Sequence, residues 1–221
     1  MRNFAIGKGV ELTAKIGKLN SGATGIQQEL NKRVAADAVQ INDLSEQIRQ
    51  LNVQISSTEG GGASSSTAGG LRVRRQELVD GLSEIASIHV EEQTSGGLAV
   101  SVGGEFLVFE GQRRQVAVDT SVTGGTASGT VKFTDTKSPL QLKSGELQGL
   151  YTARDEIVGG FLNGLDDLAA TLAFEFNKVY SQGQGLVGFK QLTSQEGVSN
   201  ANAALDAAGL PFTPVSGAFE V

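Results

Sequence analysis

Val34, Ile41, Ile48 and Ile55 recur at intervals of seven, and Leu30, Leu44 and Leu51 fill a second position of the same heptad. Apolar residues at this period line one side of an α-helix, so the spacing predicts a helix over residues 26–56 whose seam must be covered by something else. Asp37 stands where the seam asks for an apolar residue, with Ala38 beside it. The remaining face is Gln, Asn, Glu and Arg and reads as a solvated surface. Upstream, Phe4, Val10, Leu12, Ile16 and Leu19 keep a looser helical spacing, interrupted by Gly7, Gly9, Gly17 and Gly22. Each such glycine weakens a helix by about 1 kcal/mol relative to alanine. Residues 3–56 are read as helical throughout.

A second stripe lies far downstream. Ile157, Phe161, Leu165, Leu168, Leu172, Phe176 and Val179 are spaced 4, 4, 3, 4, 4 and 3 apart, the signature of another long helix with one apolar side. The simplest way to cover both stripes is against each other, so this helix is expected to run antiparallel to residues 26–56 in one bundle. Between them, Leu78, Leu82 and Ile85 mark a shorter helix over residues 71–86. Its basic start, Arg72, Arg74 and Arg75, opposes the favourable end of the helix dipole and reads as solvated. The stretch EGGGASSSTAGG at residues 59–70 is a low-complexity flexible loop. It follows a helix and lacks a Lys-Ser/Thr ending, so it does not fit a phosphate cradle.

From residue 88 the period changes to two. Ile88 and Val90, then Leu98, Val100 and Val102, then Phe106 to Phe109 alternate between paired glycines Gly96-Gly97 and Gly103-Gly104; Val116, Val118 and Val122 and the run from Thr130 to Thr134 follow. Paired glycines between such runs signal hairpins, and a small antiparallel sheet of four or five short strands is expected. The fold class is therefore α+β, an antiparallel bundle of long helices with a small β-hairpin domain. Residues 1–86 hold the first helix, the loop and the second helix; 87–143 the β-hairpin subdomain; 144–183 the long return helix. Residues 184–221 are expected to be an irregular linker with a brief Ala-rich helical turn at 199–210 and, near Val215, the start of a further, outer β-domain.

Few chemistries remain open. The chain has no cysteine, which excludes disulfides, thiolate metal sites and a cysteine nucleophile. Its single histidine, His89, reads as a surface residue on the first strand, and one histidine is too few for a multi-histidine metal site. The pairs Glu91-Glu92 and Asp166-Asp167 diverge on a strand or a helix and do not converge on a cleft. Asp155 and Glu156, after Arg154, read as capping and surface pairing. A net charge of −6 offers no electrostatic footprint for nucleic acid, and no apolar run reaches the roughly 20 residues that span a bilayer. No catalytic, cofactor-binding or metal-ligating residue is assigned, and the chain is read as a non-enzyme without cofactor, nucleic-acid partner or membrane partner.

Four segments resemble the flagellar hook-associated protein 1 (FlgK) family. Gln40-Ile41-Asn42-Asp43-Leu44 with Gln47-Ile48 and Leu51-Asn52 looks like the family's long amino-terminal helix. Arg75, Leu78 and Leu82-Ser83 look like its second helix, and Val90 to Gly111 is similar to its hairpin. The most specific segment is Ser144-Gly145-Glu146-Leu147-Gln148-Gly149-Leu150 with Arg154-Asp155, followed by Leu165, Leu168-Ala169, Leu172-Ala173 and Phe176-Asn177. Departures are Gln76 where the family has Asp, Tyr180 where His is common, and Gly183-Gln184-Gly185 in place of a loop carrying Asp.

The resemblance implies a structural protein of the bacterial flagellum, a central piece lacking both terminal regions. It implies assembly as a helical ring at the hook–filament junction, with self-association and contacts to the hook protein and hook-associated protein 3. Export without a cleaved signal peptide to an extracellular location follows, with the export-chaperone site outside this piece and an isolated fragment that is monomeric. Other flagellar axial proteins, flagellin and hook-associated protein 3, fit the Gly145 to Leu150 segment less well. The competing class is an intermolecular coiled coil, as in a phage tail or adhesin stalk, in which the heptads would pair between chains.

Overall fold

A computed structural model describes residues 2–59, 68–109, 111–123 and 126–181, and beyond them 197–200, 202–204, 207 and 209. The chain divides into two units, Met1–Asn163 and Gly164–Val221.

In the first unit, α1 (Arg2–Glu59) is one continuous helix of 58 residues, about 87 Å long at 1.5 Å per residue. The glycines at 7, 9, 17 and 22 do not break it. Helix α2 (Gly69–Ile85) follows, and then strands β1 (Ile88–Glu92), β2 (Leu98–Val102), β3 (Glu105–Phe109) and β4 (Gln112–Arg113) form an antiparallel sheet in that order. The turn between β2 and β3 is Gly103-Gly104, with φ of +59° and +89°, the double positive φ of a type I′ two-residue hairpin, which glycine adopts without penalty. Strands β5 (Val116–Thr123) and β6 (Thr126–Phe133) pair with each other in a second, two-stranded sheet. Among the described residues, six strands in two sheets thus replace the expected four or five in one. The added strand, β4, has two residues and no alternation to betray it, and the division between sheets leaves no trace in a period of two.

The final helical run opens as α3 (Glu146–Tyr151) and widens to a π-helical segment at Thr152–Val158. It continues as α4 (Gly159–Ser181), which extends into the second unit. Gly145, preceding α3, has φ +98° and ψ 170°.

The α1 seam is covered, but by different elements from those expected. Val34, Ala38, Ile41 and Ile48 are buried in one core with Val79, Leu82 and Ile85 of α2, Val100 and Val108 of the first sheet, Val131 and Phe133 of β6, and Leu147 and Leu150 of α3. The downstream stripe is not buried in this way: Ile157, Phe161, Leu168, Leu172, Phe176 and Val179 are exposed and only Leu165 is buried. The reason is competition for area. The sheets and the two short helices present enough apolar surface to fill the seam, and hydrophobic burial has no directional preference among partners. Of the loop expected at residues 59–70, Glu59 ends α1 and Gly69 and Gly70 open α2; residues 60–67 and most of the expected linker and outer strand at 184–221 lie outside the described residues.

Candidate functional site

The polar side of α1 is not simply solvated. Three of its asparagines each close a pair of hydrogen bonds onto strand backbone. Asn31 Nδ2 donates to the Ala127 carbonyl (2.7 Å) and its Oδ1 accepts from the Gly129 amide (3.1 Å). Asn42 Nδ2 donates to the Val116 carbonyl (2.7 Å) and Oδ1 accepts from the Val116 amide (3.0 Å). Asn52 does the same with Leu98, at 2.8 and 3.0 Å. A carboxamide offers one donor and one acceptor side by side, so it can satisfy a strand's backbone pair as a neighbouring strand would.

Two of these clamps are completed by buried arginines. Arg75, 5% exposed, donates to Asn52 Oδ1 and to the Gly96 carbonyl, both at 2.9 Å. Arg154, 2% exposed, donates to Asn31 Oδ1 at 3.0 Å and to the Gly129 carbonyl, while Asp155 takes its Nε and Nη2 at 2.7 and 2.8 Å. These findings correct two readings: Arg75 is not part of a solvated helix start, and Arg154 is buried, although its partner Asp155 stays at the surface as expected. Helix α2 turns Arg75 inward on the same face as Val79 and Leu82, and the π-helical segment presents Arg154 to the β5–β6 hairpin. Burial of an arginine is tolerable only when its donors are used, which no local pattern reveals.

Surface charge networks tie the sheets to the helices and the sheet segments to one another. Glu46 accepts from Arg49 (2.9 and 2.7 Å), Gln50 (2.9 Å) and Arg113 (2.6 Å). Arg49 foremost, with Gln50 and Arg113, lowers its carboxyl to about 2. Arg72 bridges Glu59, at 3.1 and 2.7 Å, and Glu92. Arg114 binds Asp135 with two donors at 2.7 and 2.8 Å and lies 4.0 Å over the Phe133 ring; the guanidinium holds the Asp135 carboxyl well below the usual carboxylate range. The carboxylates among these groups are each paired with an arginine and so are not free to act as an acid–base pair. His89, Glu91, Asp166 and Asp167 are exposed, and among the described residues no three His, Asp or Glu side chains are grouped to hold a metal ion.

The feature suited to function is an apolar helical surface. In the first unit, Phe4, Ile6, Val10, Leu19 and Ile26 of α1 are each more than half exposed. Leu19, Gly22, Ala23 and Ile26 line a groove of about 420 Å³ with Ile157, Val158 and Phe161, and Lys18 stands at its edge. The second unit carries its own exposed row on α4, Leu168, Leu172, Phe176 and Val179, with Phe176 and Tyr180 stacked at 6.2 Å. Regularly spaced apolar residues left in water mark a surface made to be covered. The helical stretch Glu146–Tyr180 is, by length and composition, apolar enough to cross a membrane, although the sequence holds no unbroken apolar run of that length. Asp166 and Asp167 lie within it, and carboxylates at a bilayer centre cost about 3 kcal/mol each; an apolar face for protein contact accounts for the pattern without that cost.

The family described as "Flagellar hook-associated protein FlgK helical domain" matches residues 1–194. Flagellar hook-associated protein 1 of Salmonella typhimurium is 28% identical over 196 residues, covering 86% of this chain and 35% of the relative. The Escherichia coli protein of the same name is 28% identical over 189 residues, 82% of this chain and 34% of the relative. The chain thus spans about a third of the length of these curated relatives. Among solved structures, the flagellar hook junction protein FlgK from Burkholderia pseudomallei superposes with a TM-score of 0.53 at 26% identity, over 65% of this chain and 27% of that one.

Proposed function

Because this chain belongs to the FlgK family of flagellar hook-associated proteins, we propose that it is a structural component of the hook–filament junction, assembled as a helical ring between hook and filament. Within this reading it has no catalytic role and takes no cofactor. Its partners are further copies of itself, the hook protein and hook-associated protein 3. It reaches the outside of the cell without a cleaved signal peptide, the export-chaperone site lies outside this piece, and the piece alone is monomeric. Residues 1–86 and 144–183 serve as the helical scaffold, 87–143 as a β subdomain clamped onto it, and 184–221 as the lead into an outer domain.

The observation that carries the proposal is the exposed apolar surface of α1 and α4. A structural protein that works by stacking must keep such helical faces free until assembly covers them, and Phe4, Val10, Ile26, Phe161, Leu172 and Phe176 are exposed at helical spacing. An intermolecular coiled coil built on the heptads is not favoured, since Val34, Ile41 and Ile48 are already 0% exposed within one chain.

Immunogold labelling of isolated flagella tests the location. Label confined to a short band where hook meets filament supports the junction role, and label spread along the filament or absent from flagella overturns it.

A further inference from the structure

Asp37 occupies the α1 seam position that the heptad reserves for an apolar residue, and it is 6% exposed. Its Oδ2 is buried with no hydrogen-bond partner among the described residues. A core that places an unpartnered carboxylate oxygen among Val34, Ala38 and Ile41 has put a titratable group where ionisation is penalised.

The charged and titratable groups around it do not relieve that penalty. Helix α3 brings Glu146 in its first turn and Tyr151 at its end. The π-helical segment brings Arg154 and Asp155, and α1 itself brings Arg33 one turn earlier. The Arg154 guanidinium is occupied by Asp155, Asn31 and the Gly129 carbonyl. The Tyr151 hydroxyl accepts the Val131 amide at 2.8 Å and makes no hydrogen bond to Asp37 Oδ2. Arg33 is exposed, so its pull is screened by water. Glu146 has the same sign as an ionised Asp37 and, being exposed like Arg33, acts through the same screening. Burial first, and the Glu146 carboxylate second, push the Asp37 carboxyl up to about 6 against the opposing pull of Arg33.

We propose that Asp37 is a proton-operated latch between α1 and α3, holding α3 on the seam when protonated and loosening it when ionised. Leu147 and Leu150 of α3 are buried in the same core as Val34, Ala38 and Ile41, so the packing that the proton stabilises is that of the first turns of the final helical run. The sign follows from linkage. The folded carboxyl titrates above its unfolded value of about 3.9, so the folded state binds more protons between about pH 4 and 6. The stabilisation is complete below that window and is lost as pH rises through 6, the folding equilibrium changing by up to about tenfold per pH unit inside it.

Amide hydrogen exchange, corrected for intrinsic rates, tests the latch in the wild-type chain and in the Asp37→Asn and Glu146→Gln variants from pH 5 to 7.5. In the wild type, protection at Leu150 and Tyr151 should fall across that range relative to Ile41 and Ile48. Asp37→Asn should abolish the difference and keep α3 protected at pH 7.5. Glu146→Gln should move the midpoint to lower pH. Equal α3 protection at both pH values, or an Asp37→Asn profile that follows the wild type, overturns the proposal. If Asp37→Asn does not fold, the carboxyl carbon of Asp37 followed by NMR in the wild type decides: a midpoint near 6 supports the latch and one near 4 overturns it.

Discussion

Arg75 donates to Asn52 through the same oxygen, Oδ1, that accepts the Leu98 amide, at 2.9 and 3.0 Å. Arg154 repeats the relationship with Asn31 and the Gly129 amide, at 3.0 and 3.1 Å. In each case one helix supplies an asparagine, a second helical segment supplies an arginine, and a strand backbone is held between them. Asn42 and Val116 form the third clamp without a cation. The β subdomain is therefore attached to α1 by directional bonds as well as by apolar packing, which fixes its register on a long and otherwise uniform rod.

Asn52→Ala should destabilise the chain by about 2–4 kcal/mol, because it strands the buried Leu98 amide and carbonyl and one donor of Arg75. Asn52→Asp should not rescue it, since a carboxylate accepts from Leu98 and Arg75 but cannot donate to the Leu98 carbonyl. Urea unfolding followed by circular dichroism measures both variants. A loss below about 0.5 kcal/mol for the alanine variant would show that the clamp contributes little.

Arg154→Met should cost about 3–5 kcal/mol, since it leaves the Gly129 carbonyl and Asn31 without their buried donor. Paired with Asn31→Ala in a double-mutant cycle, the two changes should couple by about 0.5–3 kcal/mol. Strict additivity would mean that the arginine and the asparagine act independently.

Glu46 gives the acid limb of stability. Its carboxyl titrates at about 2 in the folded chain, below its unfolded value of about 4.3. Its stabilisation is therefore present above about pH 4.3 and lost as pH falls towards 2, opposite in direction to Asp37 and in a lower window. The side chain is 30% exposed, and screening reduces the effect of Glu46→Gln at neutral pH to about 1 kcal/mol. Thermal melts from pH 2 to 7 should show a shallower acid limb in the variant.

Ile48→Asp and Leu168→Asp should differ sharply. Ile48 is 0% exposed in the α1 core and Leu168 is 55% exposed on α4. A charge at the first site should unfold the helical core, at a cost of several kcal/mol, and at the second should shift the melt by less than about 0.5 kcal/mol. Under the junction reading, Leu168→Asp would fold normally and fail to incorporate into flagella. Equal melting losses would indicate that the α4 stripe is covered within the chain.

Gly145→Ala should destabilise by about 1–3 kcal/mol or more. Its backbone, at φ +98° and ψ 170°, lies in a region populated almost only by glycine. An added Cβ would also lie 2.6 Å from the Ile85 carbonyl oxygen. Normal stability in calorimetry would mean that the loop between β6 and α3 can rearrange freely.

Much of the local structure was legible in the chain. The heptad of Val34, Ile41 and Ile48 located a buried seam, and the glycine pairs located the hairpins. The segment from Gly145 to Arg154-Asp155 marked the family and the start of the final helical run. These are signals among near neighbours, written in the periods of helix and strand. What the sequence left open was which surfaces meet. A stripe at helical spacing shows that it must be covered, but burial is non-directional, and the α1 seam is filled by α2, the two sheets and α3, leaving Phe161, Leu172 and Phe176 exposed. The clamps were hidden for a related reason: Asn52 and Leu98, Asn42 and Val116, and Asn31 and Gly129 are 46, 74 and 98 positions apart. An asparagine on a helix looks the same in sequence whether it faces water or a strand. Only the tertiary fold brings the strand to it and turns a polar face into a joint.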